Sequence, residues 1–336
     1  MATVGVIGGG AWGSALALVA RRAGADVVQW VREPEVVAAI NKQHVNPLFL
    51  PGVPLDPRIR ATGALADVAG AELLLLVVPA QHLRAIATEL GGLVPRTPVV
   101  VCAKGIEIGT SRLMSEVVTE TMPGRTMAVL SGPTFAREVA LGLPTAITIA
   151  SRSAALAQQV VARLGGPTFR PYASDDPIGT EIGGAVKNVL AIACGIAMGR
   201  GLGDNARAAL ITRGLAEMIR FGVAKGGLVP TLVGLSGLGD LTLTCTSEQS
   251  RNLSLGIALG RGRALPEIIA ERRSIAEGVY SAQALVALAK TLGVEMPIAA
   301  AVDAVLNLGA DIDATIAGLL QRPFRAEFGN AIVSSN

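Results

Sequence analysis

Two lysines occupy positions where an amine could perform acid–base chemistry. Lys104 follows Pro98–Cys102, a run typical of a strand, and Lys187 precedes the apolar stretch Val189–Met198. Burial and a second nearby ammonium would each lower the pKa of a lysine from about 10.4. Such a lysine can exchange a proton with an alcohol near neutral pH. For Lys187 the sequence leaves two interpretations open, a buried catalytic amine and a surface charge on an apolar helix.

A polar cluster near residue 250 could bind a small anion. Ser250, Arg251 and Asn252 lead into a predicted helix, whose free N–H groups and arginine suit a phosphate monoester. Asp240, in the earlier segment Gly237–Leu241, could hydrogen-bond a lysine or substrate hydroxyls. In isolation, the same residues would be interpreted as helix caps and a surface arginine.

The segment Ser131–Ala136 follows another predicted strand and begins a helix. Gly132 allows close approach to the backbone, and Thr134 supplies a hydroxyl. An ordinary helix cap is the alternative interpretation, and both can hold together. The two histidines, His44 and His82, are the other candidate bases, but no feature of the sequence marks either of them.

A glycine pattern at the start of the chain predicts a dinucleotide site. A strand runs into Gly8, Gly10 and Gly13, spaced as Gly-x-Gly-x-x-Gly, and a helix follows. These glycines permit a tight turn, close approach of a diphosphate, and close packing of helix on strand. A glycine-rich turn without a ligand is the alternative.

The residue that ends the second strand selects between NAD and NADP. Asp or Glu usually stands there in NAD enzymes, whereas this chain has Arg32 followed by Glu33. An arginine can pair with a 2′-phosphate. We therefore predict NADP or NAD as cofactor, with NADP favoured, although Arg32 could also be a solvated loop charge.

The chain alternates strand-like and helical segments in its first half, which predicts an α/β fold with a Rossmann-like, doubly wound, mainly parallel sheet. The predicted strands are Thr3–Ile7, Asp26–Val31, Leu73–Val78, Pro98–Cys102, Met127–Leu130 and Thr145–Ile149. The four prolines of His44–Pro57 predict a long surface loop. From about Glu181 the segments become long and helical, so we expect a dinucleotide-binding domain at 1–183 and an all-helical substrate-binding domain at 184–336.

Composition excludes several classes of protein. The chain has 336 residues, 51% of them hydrophobic, which is enough for two buried cores. Its net charge is +3 and its basic residues are scattered, so we expect no nucleic-acid partner. The apolar runs are shorter than the roughly 20 residues of a membrane span. No metal site is expected, because the three cysteines are far apart.

Together these segments resemble the NAD(P)-dependent glycerol-3-phosphate dehydrogenases of bacteria. The matching strings, in the order of the family, are Val6–Ala15, Lys104–Glu107, Ser131–Glu138, Gly184–Val189, Asn205–Gly214, Gly237–Leu241, Gln249–Asn252 and Ala276–Val279. They cover nearly the whole chain.

The resemblance implies a role for each matching residue. Lys187 would be the proton acceptor, with Lys104 and Asp240 completing the catalytic group. The implied substrate contacts are Lys104, Gly132, Thr134, Lys187, Asp240, Ser250, Arg251 and Asn252. The implied cofactor contacts are Gly8, Gly10, Ala11, Trp12, Gly13, Arg32, Lys104, Ala136, Arg251, Ile275 and Glu277. Ala11 stands where the family often has serine, so only its backbone could contact a phosphate.

The resemblance also implies what the protein does in the cell. It would interconvert sn-glycerol 3-phosphate and dihydroxyacetone phosphate in the cytoplasm, as a homodimer, and supply glycerol 3-phosphate for phospholipid synthesis. Two rivals stay open. A hydroxy-acid dehydrogenase of similar plan would bind a carboxylate, and a dinucleotide-sensing protein would bind cofactor without turnover.

Overall fold

The computed structural model describes residues 3–94, 96–271 and 276–323. Ten strands and fifteen α-helices lie in this part of the chain. The strands are β1 (Thr3–Ile7), β2 (Asp26–Trp30), β3 (Val45–Asn46), β4 (Leu50–Pro54), β5 (Ile59–Thr62), β6 (Leu73–Leu76), β7 (Val99–Val101), β8 (Met127–Ser131), β9 (Thr145–Ala150) and β10 (Phe169–Ser174).

Eight strands form one sheet in the order β10-β9-β8-β7-β6-β1-β2-β5. All neighbouring pairs are parallel except β8 and β9, which are antiparallel. The prediction of a mainly parallel sheet is therefore confirmed. The order reverses at β1, and in sheets of this kind the ligand lies outside the carboxyl ends of the strands at such a point.

The helices of the sheet domain cover both of its faces, as a doubly wound fold requires. One face packs against α1 and α6, and the other against α3 and α4, each through its own apolar cluster. The helices are α1 (Ala11–Arg22), α2 (Pro34–Gln43), α3 (Leu83–Leu93), α4 (Met114–Thr121), α5 (Ala136–Ala140) and α6 (Ala154–Leu164).

The prediction of a surface loop at His44–Pro57 is wrong. This segment forms the hairpin β3–β4, in which Asn46, Leu50 and Val53 are buried. The strands Ile59–Thr62 and Phe169–Ser174 were also missing from the prediction. Proline and charged residues interrupt these segments, so their local pattern resembles that of loops.

Past Ser174 the described chain contains helices only, which confirms the all-helical second part. The helices are α7 (Pro177–Gly199), α8 (Gly203–Lys225), α9 (Val229–Leu232), α10 (Asp240–Thr246), α11 (Arg251–Gly260), α12 (Leu265–Ala270), α13 (Glu277–Thr291), α14 (Pro297–Asn307) and α15 (Ile312–Leu320). A π-helical turn, Leu235–Gly239, leads directly into α10.

The central helix of this second part is α7, around which α8, α10, α11 and α13 pack. The helix runs without a break through residue 183, where we expected one domain to end. By length and hydropathy α7 could cross a bilayer, but 89% of its most apolar window is buried inside the protein. That burial is typical of the core helix of a globular domain.

Candidate active site

Lys104, Lys187 and Asp240 meet in one buried cluster between the two parts of the chain. Lys187 Nζ lies 2.5 Å from Asp240 Oδ1, and Lys104 Nζ lies 2.7 Å from Asp240 Oδ2. Asp240 is 0% exposed and Lys187 only 7%. One carboxylate therefore compensates two ammonium groups, and all three predicted catalytic residues lie together.

Each member of this cluster is held by a different element. Lys104 follows β7 at the carboxyl end of the sheet, Lys187 belongs to α7, and Asp240 begins α10. The π-helical turn before Asp240 packs so closely on α7 that a Cβ at Gly183 would clash with the carbonyl of Ser236. Turns of this kind are frequent at functional sites.

The environment tunes Lys187 for proton exchange. Burial lowers the pKa of Lys187 from its usual 10.5 to about 8. The charge of Asp240 raises this pKa, and the charge of Lys104 lowers it. At pH 7 to 9 the amine can therefore hold or release a proton. The buried catalytic interpretation fits this geometry, and the surface-charge interpretation does not.

Sequence reasoning overlooked Thr244 and assigned no role to Asn188. Lys187 Nζ donates to Thr244 Oγ1 at 3.0 Å. Thr244 lies four residues after Asp240 on α10, so helical spacing places both side chains on one face and could have identified it. Asn188 accepts a hydrogen bond from Asn252 Nδ2 at 2.9 Å, which links α7 to α11.

The anion-binding candidates lie at the start of α11. Ser250 caps this helix by accepting from the Leu253 N–H at 3.2 Å. Asn252 Oδ1 accepts from the Gly278 N–H at 3.0 Å, which fixes the start of α13 beside it. Arg251 is exposed at the first helical position. The structure thus presents an arginine at a helix N-terminus, an arrangement suited to a phosphate.

The segment that carries Gly132 and Thr134 borders the lysine cluster. Lys104 Nζ donates to the Gly132 carbonyl at 3.1 Å. Thr134 lines a cavity of about 290 Å³ that Leu243 of α10 bounds on the other side. Nearby, Gln249 Nε2 donates to Glu138 Oε1 at 2.9 Å across the same junction. Gly132 and Thr134 therefore lie between the sheet and the helical part, as the substrate assignment requires.

The glycine turn between β1 and α1 fits a dinucleotide. Gly8 has φ +141°, and a Cβ there would lie 2.8 Å from the Val77 carbonyl oxygen. A Cβ at Gly10 would meet no described atom within 4 Å, so the space in front of it is open. At Gly13 a Cβ would clash with the Gly8 carbonyl. Because no side chain caps α1, its first N–H groups can bind a diphosphate.

Side chains around this turn contribute as well. Ala11 and Trp12 form the first residues of α1. The Nε1 of Trp12 is buried without a hydrogen-bond partner in the described chain. Ala136 begins α5, which packs against α1. Arg32 follows β2 with 73% of its side chain exposed, and its guanidinium lies 2.9 Å from Glu33 Oε1. These residues surround the region that the predicted cofactor would occupy.

Glu277 reaches from the helical part toward the sheet. Its carboxylate accepts a hydrogen bond from the Ala80 N–H, and burial raises its pKa to about 7 while Arg251 opposes that shift. The predicted contacts Arg251 and Glu277 thus lie close to each other at the junction. Ile275 lies outside the described residues. His82 is exposed, and His44 ends α2 in the left-handed conformation.

A Rossmann sheet with a glycine turn, combined with two lysines on one buried aspartate, is typical of a dinucleotide-dependent oxidoreductase of two parts. The family models agree with this class. NAD-dependent glycerol-3-phosphate dehydrogenase N-terminus matches residues 3–157, and the C-terminus of the same family matches residues 176–317. The chain belongs to the NAD-dependent glycerol-3-phosphate dehydrogenase family.

Individual relatives cover almost the whole chain. A glycerol-3-phosphate dehydrogenase [NAD(P)+] of Rhodospirillum rubrum is 60% identical over 97% of this chain and 94% of its own length. One from Parvibaculum lavamentivorans is 55% identical over 96% and 98%. The crystal structure of a glycerol-3-phosphate dehydrogenase from Coxiella burnetii superposes with a TM-score of 0.92 at 41% identity, covering 96% of this chain and 99% of that one.

Proposed function

We propose that this protein catalyses the NAD(P)-dependent interconversion of sn-glycerol 3-phosphate and dihydroxyacetone phosphate. The observation that carries the proposal is the pairing of Lys104 and Lys187 with the fully buried Asp240, where the sheet meets the helical part. Names of relatives that span the chain support the same substrates. In this division of labour, the sheet part up to Ser174 binds the nucleotide and the helical part from Pro177 onward binds most of the substrate.

Lys187 exchanges the proton of the C2 oxygen. A reduced nicotinamide bound at the glycine turn would supply the hydride to C2 in the reductive direction. As negative charge develops on the oxygen, the Lys187 ammonium donates a proton to it, and the second ammonium of Lys104 stabilises the charge. In the oxidative direction the neutral amine of Lys187 takes the hydroxyl proton. Asp240 keeps both lysine side chains oriented toward one point.

The start of α11 binds the phosphate of the substrate. Arg251 supplies a planar guanidinium, and the helix N-terminus adds partial positive charge. Asn252 is held between Asn188 and Gly278, so it is rigid before substrate arrives.

The exposed guanidinium of Arg32 supports NADP as the favoured cofactor, because it can pair with a 2′-phosphate. Glu33 lies beside it and can accept ribose hydroxyls, so NAD is also bound. From the family resemblance we further infer that the protein is a homodimer, and we place it in the cytoplasm. We also infer that it provides glycerol 3-phosphate for phospholipid synthesis.

Initial-rate assays with NADPH and NADH test this proposal. We expect dihydroxyacetone phosphate to oxidise the cofactor. For a panel of 2-keto and 3-keto acids we expect a kcat/KM at least about a hundredfold lower, since leaving the phosphate-binding groups without a phosphate costs several kcal/mol. Preferential reduction of a keto acid would support the hydroxy-acid dehydrogenase instead. Binding of NADPH without turnover of any ketone would support a sensor.

A further inference from the structure

Asn46 is a buried polar residue to which the activity assigns no role. It is 0% exposed and lies in β3, the short strand that the sequence placed in a surface loop. Its Nδ2 donates to the Gly9 carbonyl at 2.8 Å and to Ser14 Oγ at 2.9 Å. Its Oδ1 accepts from the Phe49 N–H at 3.1 Å. The amide therefore connects the hairpin directly to the glycine turn.

A second amide holds the same turn from β2. Gln29 is also 0% exposed, and its Nε2 donates to the Gly8 carbonyl at 2.9 Å. The same nitrogen lies 3.3 Å from Ser14 Oγ. A hydroxyl has two acceptor lone pairs, so Ser14 can accept from both amides at once. Two consecutive carbonyls of the turn, those of Gly8 and Gly9, are thus occupied by donors from within the protein.

We propose that Asn46 is a positioning residue for the cofactor diphosphate, with Gln29 as its counterpart. The lone pairs of an exposed carbonyl repel an anion, whereas N–H groups at a helix start attract it. By holding the Gly9 carbonyl inside the protein, Asn46 keeps the turn in the conformation that presents its N–H groups to the diphosphate. This inference rests on the proposed function, because it requires a dinucleotide at this turn.

The hairpin has other anchors, so the role of Asn46 is separable from folding. Leu50, Val53 and Leu55 bury the hairpin in the apolar cluster of the sheet. Arg137 also donates to the Pro51 carbonyl at 2.7 Å. Loss of the Asn46 amide would leave these contacts in place, and its effect should be concentrated on the glycine turn.

Calorimetric titration of the full-length protein with ADP-ribose, adenosine and NADPH tests this role. ADP-ribose contains the diphosphate and adenosine does not. We expect Asn46→Ala to lower the affinity for ADP-ribose and for NADPH at least about tenfold, because a buried hydrogen-bond acceptor loses its partner. Adenosine affinity should change less than about twofold, and so should kcat at saturating NADPH. Asn46→Asp should lower the affinity for ADP-ribose further, because it places a carboxylate beside the diphosphate.

Asn41→Ala is the matched control. Asn41 also uses both ends of its amide, bonding the carbonyl and N–H of Ala61 at 2.9 and 2.8 Å, but it does not contact the glycine turn. We expect unchanged ADP-ribose affinity in this variant. If Asn46→Ala does not fold, Ser14→Ala is used in its place. It removes the acceptor that both amides share and should lower the affinity for ADP-ribose about threefold or more.

The outcomes separate the two proposals. Unchanged ADP-ribose affinity in Asn46→Ala, or in Ser14→Ala where that variant is needed, overturns the positioning role. Equal losses of affinity for adenosine and for ADP-ribose overturn it too, since they indicate general damage to the domain. A wild-type protein that binds neither ADP-ribose nor NADPH contradicts the proposed function itself.

Discussion

The glycine turn and the lysine–aspartate cluster are built in opposite ways. The turn uses backbone groups of neighbouring residues and works because Gly8, Gly10 and Gly13 carry no side chain. The cluster uses three charged side chains, and Lys104 and Asp240 lie 136 positions apart in the sequence. A local motif can therefore be identified from spacing, whereas a site made of distant charges depends on the whole fold.

The two regions also differ in what stabilises them. In the turn, close packing of Gly13 against Gly8 leaves no room for a methyl group. In the cluster, the buried Lys187 and the partly buried Lys104 share one fully buried carboxylate. Substitutions should consequently act through sterics in the first region and through uncompensated charge in the second.

The largest effect is expected for Asp240→Ala. This variant leaves Lys104 and Lys187 without their shared counter-ion, so the free energy of unfolding at pH 7 should fall by about 3 kcal/mol. Chemical denaturation measures the change. The control is Asp313→Ala, which breaks an exposed ion pair with Arg200 and should change stability by less than about 0.5 kcal/mol. Equal effects in both variants would contradict the buried-charge account.

Two alanine substitutions separate the steric roles within the turn. Gly13→Ala forces a methyl group against the Gly8 carbonyl and should lower the free energy of unfolding by about 1–3 kcal/mol. Gly10 has φ −69°, which alanine adopts readily, and its Cβ would point into open space. Gly10→Ala should therefore keep stability within about 0.5 kcal/mol.

Cofactor affinity distinguishes these variants further. The added methyl group at Gly10 would occupy the space of the diphosphate, so the Kd for NADPH should rise about tenfold or more. Calorimetry and thermal unfolding of the same preparations measure both quantities. A Gly10→Ala protein that binds NADPH normally would show that the open space does not hold the diphosphate.

The pH dependence of turnover should follow Lys187. Its pKa is lowered to about 8, so the ammonium dominates below that pH and the neutral amine above it. Reduction needs the ammonium as proton donor and should slow as pH rises through 8. Oxidation needs the amine and should accelerate over the same range. Rate profiles of kcat/KM in both directions measure this, and parallel profiles would argue against a single acid–base group.

The same shift has a consequence for stability. Between pH 8 and 10.5 the unfolded lysine binds more protons than the folded one. The contribution of Lys187 to the free energy of unfolding should therefore increase with pH in this window.

The smallest effect is expected at the cofactor specificity residue. Arg32→Ala removes an exposed guanidinium, so the KM for NADPH should rise by about tenfold, the effect of one charge-assisted hydrogen bond. The KM for NADH should change less than about twofold. Initial rates with each cofactor measure the ratio, and equal changes would remove Arg32 from the 2′-phosphate site.

The same contrast between local and distant contacts explains which elements of the fold could be predicted from the sequence. The strand Thr3–Ile7 was predicted with the bounds it has, because its residues carry a clear local pattern. The hairpin at β3–β4 was not, since its stability comes from packing against α2 and α5 and from burial of Leu50 and Val53, whereas its prolines indicate a loop.

Helix α7 shows the same limit at the catalytic cluster. Its first half contains Gly179, Gly183 and Gly184, which have low helix propensity, so the sequence indicated a later start. These glycines are needed for close packing, for example of Gly183 on the π-helical turn. The burial of Lys187 depends on that packing, so no local pattern could establish it, although helical spacing from Asp240 indicates Thr244 as its neighbour.

Chemical rescue of Lys187→Ala tests the central claim most directly. Turnover of dihydroxyacetone phosphate should fall about a thousandfold, within the range for loss of a general acid, while NADPH affinity in the same preparation stays near normal. Added propylamine, which replaces the deleted side chain, should restore part of the rate. Lys225→Ala, which removes a lysine paired with Glu116 elsewhere in the protein, should turn over normally. Near-normal turnover of Lys187→Ala without added amine would contradict the account.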